Sequence, residues 1–347
     1  MTHLRVHFDL RAPDSGIPAP ELYPLALEQA TWLDDAGATS IMLSEHHGSA
    51  DQNCPSPLAL AAAIGAVTKR CRILVSALLL PLHDPVRVAE DAAVADLVSG
   101  GRLDLVAGVG YVRSEFELFG LTIKDRARLL EEKLPLLLEA METGKVTRDG
   151  TTYQVTPRPA QKPRPSVLVG GSVAASARRA ARLADGFFPA VSDPSIIEIY
   201  RAECARLGYE PGPVHRGGRP RFVFVSEDPD RAWQHVGPAA LGEINIHRRW
   251  TADSPAQNSY GEGGALTDWE AIRDGGQYAV LTPAECIALA RGLDDDIPLT
   301  IKPLLGGVDP EFSWECLNVL KSQVLPHLNL DQPKPFGRIR PLDVEQA

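Results

Sequence analysis

The stretch "RILVSALLLPLHDPVRVAEDAAVADLVSGGRLDLVAGVG", Arg72–Gly110, decides the fold. It opens with an apolar run of strand length, Arg72–Leu80, and closes with another, Leu103–Val109. Between them stands Asp84-Pro85. An Asp there accepts from the unpaired N–H groups of a first helical turn, and a Pro just inside loses no bond that a helix would make. A helix is therefore expected over Pro85–Leu97. Neither apolar run alternates with polar residues, as expected of parallel strands joined by a helical crossover and covered on both faces.

Outward from this unit the alternation repeats along almost the whole chain. Further strands are expected at Leu4–Leu10, Ser40–Ser44, Ser166–Gly170, Gly186–Val191, Arg221–Ser226 and Leu299–Leu305. Helical patterns lie over Ala19–Ala36, Pro57–Thr68, Asp125–Glu142, Val173–Ala184 and Pro194–Leu207, the last behind a second Asp-Pro start at Asp193. Eight strands with helical crossovers indicate an α/β protein of the (β/α)8 TIM-barrel class, with its active site at the C-terminal ends of the strands. A dinucleotide-binding sheet is set aside. The one G-x-G after a strand is Gly108-Val109-Gly110, and Arg113 stands where the third glycine belongs.

Two segments break the alternation. Lys145–Pro165 reads as a hairpin turning at Asp149-Gly150, followed by a proline-rich link. Gly237–Gly276, rich in Gly, Ser, Asn and aromatic residues, reads as a lid or binding loop. The expected organisation is a single domain over residues 1–328 with excursions at 145–165 and 237–276, then a loosely attached tail, 329–347.

With 44% hydrophobic and 23% charged residues the chain has an ordinary globular composition. A formal charge of −10 argues against nucleic acid, whose phosphates need a basic face. Five scattered cysteines without a C-x-x-C pair favour a reducing compartment over a disulfide framework or a zinc ribbon. No signal core or membrane-length apolar run is present, so a cytoplasmic protein is expected, in contact with neither membrane nor nucleic acid.

Three stretches carry candidate chemistry. Glu45, His46 and His47 follow the second strand, so at least one imidazole is expected to enter the central pocket as a hydrogen-bond donor or proton carrier. The alternatives are a hydrogen-bonded structural histidine and a metal ligand; adjacent histidines point apart, and Asp51 and Cys54 complete no known ligand spacing, so no metal is expected. In "VLVGGSVAASARRA", Gly170 and Gly171 end a strand and Ser172 is expected to cap the next helix. Backbone N–H groups of Gly171, Ser172 and Val173 would then face a phosphate, unless the glycines serve only the turn. In "LDLVAGVGYVRSEFELFG", Gly108 and Gly110 admit a flat ring and Tyr111 could cover it, with the small Ser76 and Ala77 of the third strand nearby.

With these pieces in order the chain resembles the bacterial luciferase-like flavin-dependent oxidoreductases. The matching residues are EHHG at Glu45–Gly48, PSPLALAAA at Pro55–Ala63, the run Leu80–Gly120, RRAARLADGFFP at Arg178–Pro189 and the ending Gly306–Leu328. The most specific are P-V-R-x-A-E-D and S-x-G-R. The resemblance implies a TIM barrel that binds FMN or coenzyme F-420, a pocket-facing histidine at His46 or His47, and a non-prolyl cis peptide at Ser76–Ala77 against the ring. It also implies a homodimer through Pro57–Thr68 and Pro85–Leu97. Luciferases proper carry a Cys-Arg pair where this chain has Gly108 and Val109, so light emission is not expected. The implied activity is monooxygenation with reduced FMN from a separate flavin reductase, and the aromatic, glycine-rich composition of Gly237–Gly276 suggests a mostly apolar organic substrate. F-420-dependent hydride transfer and non-catalytic flavin binding are the alternatives.

Overall fold

In a computed structural model, which describes residues 1–191, 193–251, 266–337 and 339, strands and helices alternate from Leu4 onward. The strands are β1 (Leu4–Phe8), β2 (Ser40–Leu43), β3 (Arg72–Leu78), β4 (Leu103–Ala107), β5 (Lys145–Arg148), β6 (Thr151–Gln154), β7 (Val167–Gly171), β8 (Gly186–Pro189), β9 (Phe222–Val225), β10 (Tyr278–Leu281) and β11 (Leu299–Ile301). The helices are α1 (Ala19–Asp35), α2 (Pro57–Val67), α3 (Pro85–Ser99), α4 (Arg113–Leu118), α5 (Arg126–Thr143), α6 (Ala174–Leu183), α7 (Pro194–Arg206), α8 (Pro229–Thr251), α9 (Glu270–Asp274), α10 (Pro283–Gly292) and α11 (Pro310–Val319). All eight strands expected from the sequence are present, and the architecture is α/β with parallel main strands. The chain divides into two compact units, residues 1–55 with 216–333, and residues 56–215 with the segment from Lys334 on.

In the first unit the parallel order is β10-β9-β11-β1-β2, with Leu4 opposite Leu299 and Phe8 opposite Leu43. Strand β10 was not expected. It is a four-residue run, YAVL, directly behind a segment that reads as loop, and too short to announce itself by periodicity. The segment 237–276 also differs from expectation: α8 runs to Thr251, so its first part is helix despite Pro238 and the glycines, and residues 252–265 lie outside the described part. Burial of Trp233, Val236, Ala240 and Ile244 against the sheet overrides the weak local propensity. Gly237 is required there by packing, since a Cβ would lie 2.3 Å from the indole of Trp269.

In the second unit the parallel order is β3-β4-β7-β8, and the β3–β4 ladder shifts register between Ser76 and Leu78. Helix α3 starts as its sequence dictates: Asp84 accepts from Val86 N–H at 2.8 Å and Arg87 N–H at 3.3 Å, and Gly100 ends it in the left-handed region. Asp193 caps α7 in the same way. Strands β5 and β6 form the expected hairpin, with positive φ at Asp149 and Gly150. Arg102 of the S-x-G-R motif ties the end of α2 to the start of β4. It donates to the carbonyls of Gly65, Thr68, Cys71 and Ser99 at 2.6–2.9 Å, supplying partners that a helix C-terminus lacks.

Part of the tail expected at 329–347 lies within the described residues. In the first unit Leu330 bridges Thr2, and in the second Phe336 is buried and stacks on His215 at 3.8 Å between ring centres. All five cysteines are buried and none is in a disulfide. No helix among the described residues is long and apolar enough to cross a membrane.

Candidate active site

In the first unit the ends of three strands deliver charged or protonatable side chains. β1 runs on into Asp9 and Arg11, β2 into Glu45, His46 and His47, and β11 into Lys302. Helix α8 adds Glu243, His247 and Trp250, whose i, i+4, i+7 spacing puts them on one face.

Arg11 is the hub. Its Nε donates to Asp9 Oδ2 at 2.9 Å, its Nη1 pairs with the Asp51 carboxylate, and its Nη2 lies 3.0 Å from His247 Nε2. Lys302, fully buried, lies between Asp9 Oδ2 at 2.8 Å and Glu243 Oε2 at 2.5 Å. The cluster thus holds three carboxylates and two fixed cations, every one of them buried. Burial alone would push the Glu243 carboxyl up, but Lys302 and then Arg11 hold it well below the usual carboxylate range. His247 is held well below its ordinary value, first by burial and then by Arg11, so its imidazole is neutral. Against this charged floor lie three rings: His46 is 4.4 Å from Trp250, and His247 is 5.8 Å from His46 and 5.2 Å from Trp250, both His247 contacts edge-on. The neighbouring imidazole has different company, with His47 Nε2 at 2.7 Å from Glu45 Oε1.

In the second unit the expected cofactor residues all fall at strand ends. The Ser76–Ala77 peptide, on β3, is cis. Gly108, just after β4, faces Ala77 so closely that a Cβ would lie 2.8 Å from the Ala77 methyl. Gly110 has positive φ and sits against Phe116, and the half-buried Tyr111 follows it. Gly170 and Gly171 are the last residues of β7.

One expectation is corrected. The residue that caps α6 is Val173, not Ser172, because Val173 is the last extended residue and the hydroxyl of Ser176 does the capping. That hydroxyl accepts from Val173 N–H at 3.2 Å and donates to Val173 O at 2.6 Å. Val173 N–H is therefore already engaged, and a phosphate is left with the donors on either side of it. Gly171 is bare for a packing reason as well, since a Cβ would fall 2.3 Å from the Ser176 Cβ. The α6 N-terminus, with no acidic residue in its first turn, offers backbone N–H groups of the kind that receive an anion.

Sequence reasoning missed Asp9, Arg11, Asp51, Glu243, His247, Trp250 and Lys302 as a group. The signal was present in part. Charged residues directly after apolar strands, as in Asp9-Leu10-Arg11 and Ile301-Lys302, occupy the positions where this fold class places its chemistry. Glu243, His247 and Trp250 were hidden because their segment reads as loop.

Known proteins resemble this chain over most of its length. A family model described as luciferase-like monooxygenase matches residues 6–281. An uncharacterised protein, y4vJ, of Sinorhizobium fredii is 30% identical over 168 residues, covering 47% of this chain and 48% of that protein. The oxygenase component of a flavin-dependent trigonelline monooxygenase of Acinetobacter baylyi is 27% identical over 156 residues, 43% of each chain. In both cases the match spans about half the length of the relative. The crystal structure of the monooxygenase RslO1 from Streptomyces bottropensis superposes with a TM-score of 0.75 at 22% identity, over 94% of this chain and 99% of that one.

Proposed function

Because the chain belongs to the luciferase-like monooxygenase family, whose fold is the TIM barrel, we propose that it is the oxygenase component of a flavin-dependent monooxygenase. The observation that carries this reading is the family match over residues 6–281. The trigonelline relative, an oxygenase component by name, supports a division of labour in which a separate reductase supplies the reduced flavin. FMN, when bound, supplies the electrons and the site of oxygen activation. This chain's residues bind, orient and keep water out. Ser76, Ala77, Gly108, Gly110 and Tyr111 are the proposed ring contacts, and Gly170, Gly171 and Ser172, with the first turn of α6, the proposed phosphate contacts. His46 is the proposed proton-handling side chain, and His47, paired with Glu45, a structural one. The substrate class is a mostly apolar organic molecule.

Titration of the purified protein with FMN and with F-420, followed by visible spectroscopy, tests the cofactor, and oxygen uptake with a flavin reductase tests the reaction. FMN is expected to bind, and turnover of a substrate is expected to fall ~10²–10⁴-fold in His46→Ala with cofactor affinity kept. Binding of F-420 without FMN, or no oxygen uptake with any flavin, would overturn the reading.

The proposal extends to a homodimer through α2 and α3. Val67, Val94, Leu97 and Val98 of these helices are 38–46% exposed, an apolar surface of the kind that marks an interface. The small residues of α2 divide between two tasks: Ala61 and Gly65 are buried within the chain, Gly65 against Ser99, while Ala59 faces outward. A monomer by light scattering at micromolar concentration would reject the dimer.

A further inference from the structure

The arrangement around His247 does more than neutralise charge. A guanidinium has donors and no acceptor, so at the 3.0 Å contact Arg11 Nη2 donates and His247 Nε2 must accept. The ring proton of His247 is thereby assigned to Nδ1. Arg11 cannot turn away to release it, because Asp9 and Asp51 hold its other two nitrogens. A second proton on Nε2 would break the bond and set one cation against another. The groups facing His247 are Arg11 after β1, His46 after β2, Lys302 after β11 and Glu243 one turn back on α8, the last with its Oε1 3.8 Å from Nε2. His46 meets the ring so fixed edge-on, at 73°, and is backed by the Trp250 indole on the same helix.

We propose that His247 is a positioning residue for His46: Arg11 fixes it as the Nδ1-protonated tautomer, and the fixed ring, with Trp250, sets the place and orientation of the His46 imidazole. Two adjacent imidazoles thus take different tasks. His247 is locked and does not exchange its role, and His46 is the one left to handle a proton. Glu243, Lys302 and Asp9 act behind them by keeping Arg11 and α8 in register through two short ion pairs. The inference rests on the reading of His46 as the proton-handling side chain.

The test uses the full chain without cofactor, labelled with ¹⁵N in its histidine and tryptophan rings. In the wild type, the histidine whose signals vanish in His247→Gln is expected to show a protonated, pyrrole-like Nδ1 and an unprotonated Nε2. It should keep both signals across the pH range where an ordinary imidazole titrates. In His247→Leu, which offers Arg11 no acceptor, the His46 ring signals and the Trp250 indole N–H signal are expected to shift. In His247→Gln, whose amide oxygen can still accept from Arg11, they are expected to return towards the wild-type positions. A cationic or Nε2-protonated His247 at pH 7 would overturn the proposal. So would His46 and Trp250 signals that are the same in the wild type and in His247→Leu. The wild-type measurement stands even if the Leu variant fails to fold. Failure of the FMN titration and oxygen uptake would remove the proposed function and leave this tautomer measurement untouched, so the two failures are distinguishable.

Discussion

Arg102 and Arg11 are both pinned on several sides, and the difference between their partners separates scaffold from chemistry. In the second unit Arg102 belongs to the most recognisable motif of the chain, S-x-G-R, yet it touches only backbone carbonyls and the Thr68 hydroxyl. Its task is to finish helix α2 and tie it to the segments before β3 and β4. In the first unit Arg11 belongs to no motif, and its partners are the carboxylate of Asp9, two residues away, and a carboxylate and an imidazole from distant parts of the sequence. Neutral acceptors make a brace. Ionisable acceptors set protonation states, and the chemistry follows them.

The comparison can be broken by ranking two substitutions in urea unfolding. Lys302→Met leaves the Asp9 and Glu243 carboxylates facing each other in a buried site without their common cation. It is expected to cost about 3–5 kcal/mol, the usual loss when one member of a buried pair is removed. Arg102→Met leaves the carbonyls of Gly65, Thr68, Cys71 and Ser99 without their donor, but they are neutral, and Arg102 itself is only partly buried, so water can replace part of what is lost. The expected cost is about 2–3 kcal/mol, a few times that of a single hydrogen bond. The reverse order would mean that the brace, not the charged cluster, is the point on which stability turns.

What the sequence made legible follows the same division. The strands and helices were readable because apolar runs, Asp-Pro starts and the Asp149-Gly150 turn are local signals, and their physics acts within a few residues. Against expected ends at Leu10 and Leu305, β1 and β11 stop at Phe8 and Ile301; the end of β2 was placed within one residue, and with it the position of His46 along the chain. The partners of His46 were not, because Arg11, His247 and Lys302 meet only through the parallel pairing of β11, β1 and β2 and the seating of α8. Residue type alone could not reveal that Val173 is capped by Ser176. Either Ser172 or Ser176 is a good capping residue, and the choice is made by where β7 lets the chain turn.

A smaller effect sharpens the comparison further, because the first unit should be acid-sensitive through two histidines. His247 is held well below its ordinary value by burial and then Arg11, and His7 by burial and then Lys302. Among the described residues neither ring nitrogen of His7 has a hydrogen-bond partner, and the ring stacks on Phe222 at 5.4 Å. Unfolded, each imidazole takes up a proton near pH 6.5; folded, it does so only at lower pH. The unfolded state therefore binds more protons below that point. Stability is full above about pH 7.5 and falls as pH drops through 6.5, by at most ~1.4 kcal/mol per pH unit for each histidine. Glu243 acts with the same sign in a lower window, since its carboxyl is held below the usual range and its contribution is lost only below about pH 4.5. Urea midpoints measured between pH 7.5 and 5.5 thus isolate the histidines. His7→Phe keeps the ring stack, removes two unpartnered nitrogens and is expected to halve the slope while leaving stability at pH 8 the same or higher. His247→Gln is expected to remove the other half, since its amide still accepts from Arg11 and does not titrate. A slope that survives both substitutions would place the acid sensitivity outside the Arg11–Lys302 cluster and would leave that cluster a brace like the one at Arg102.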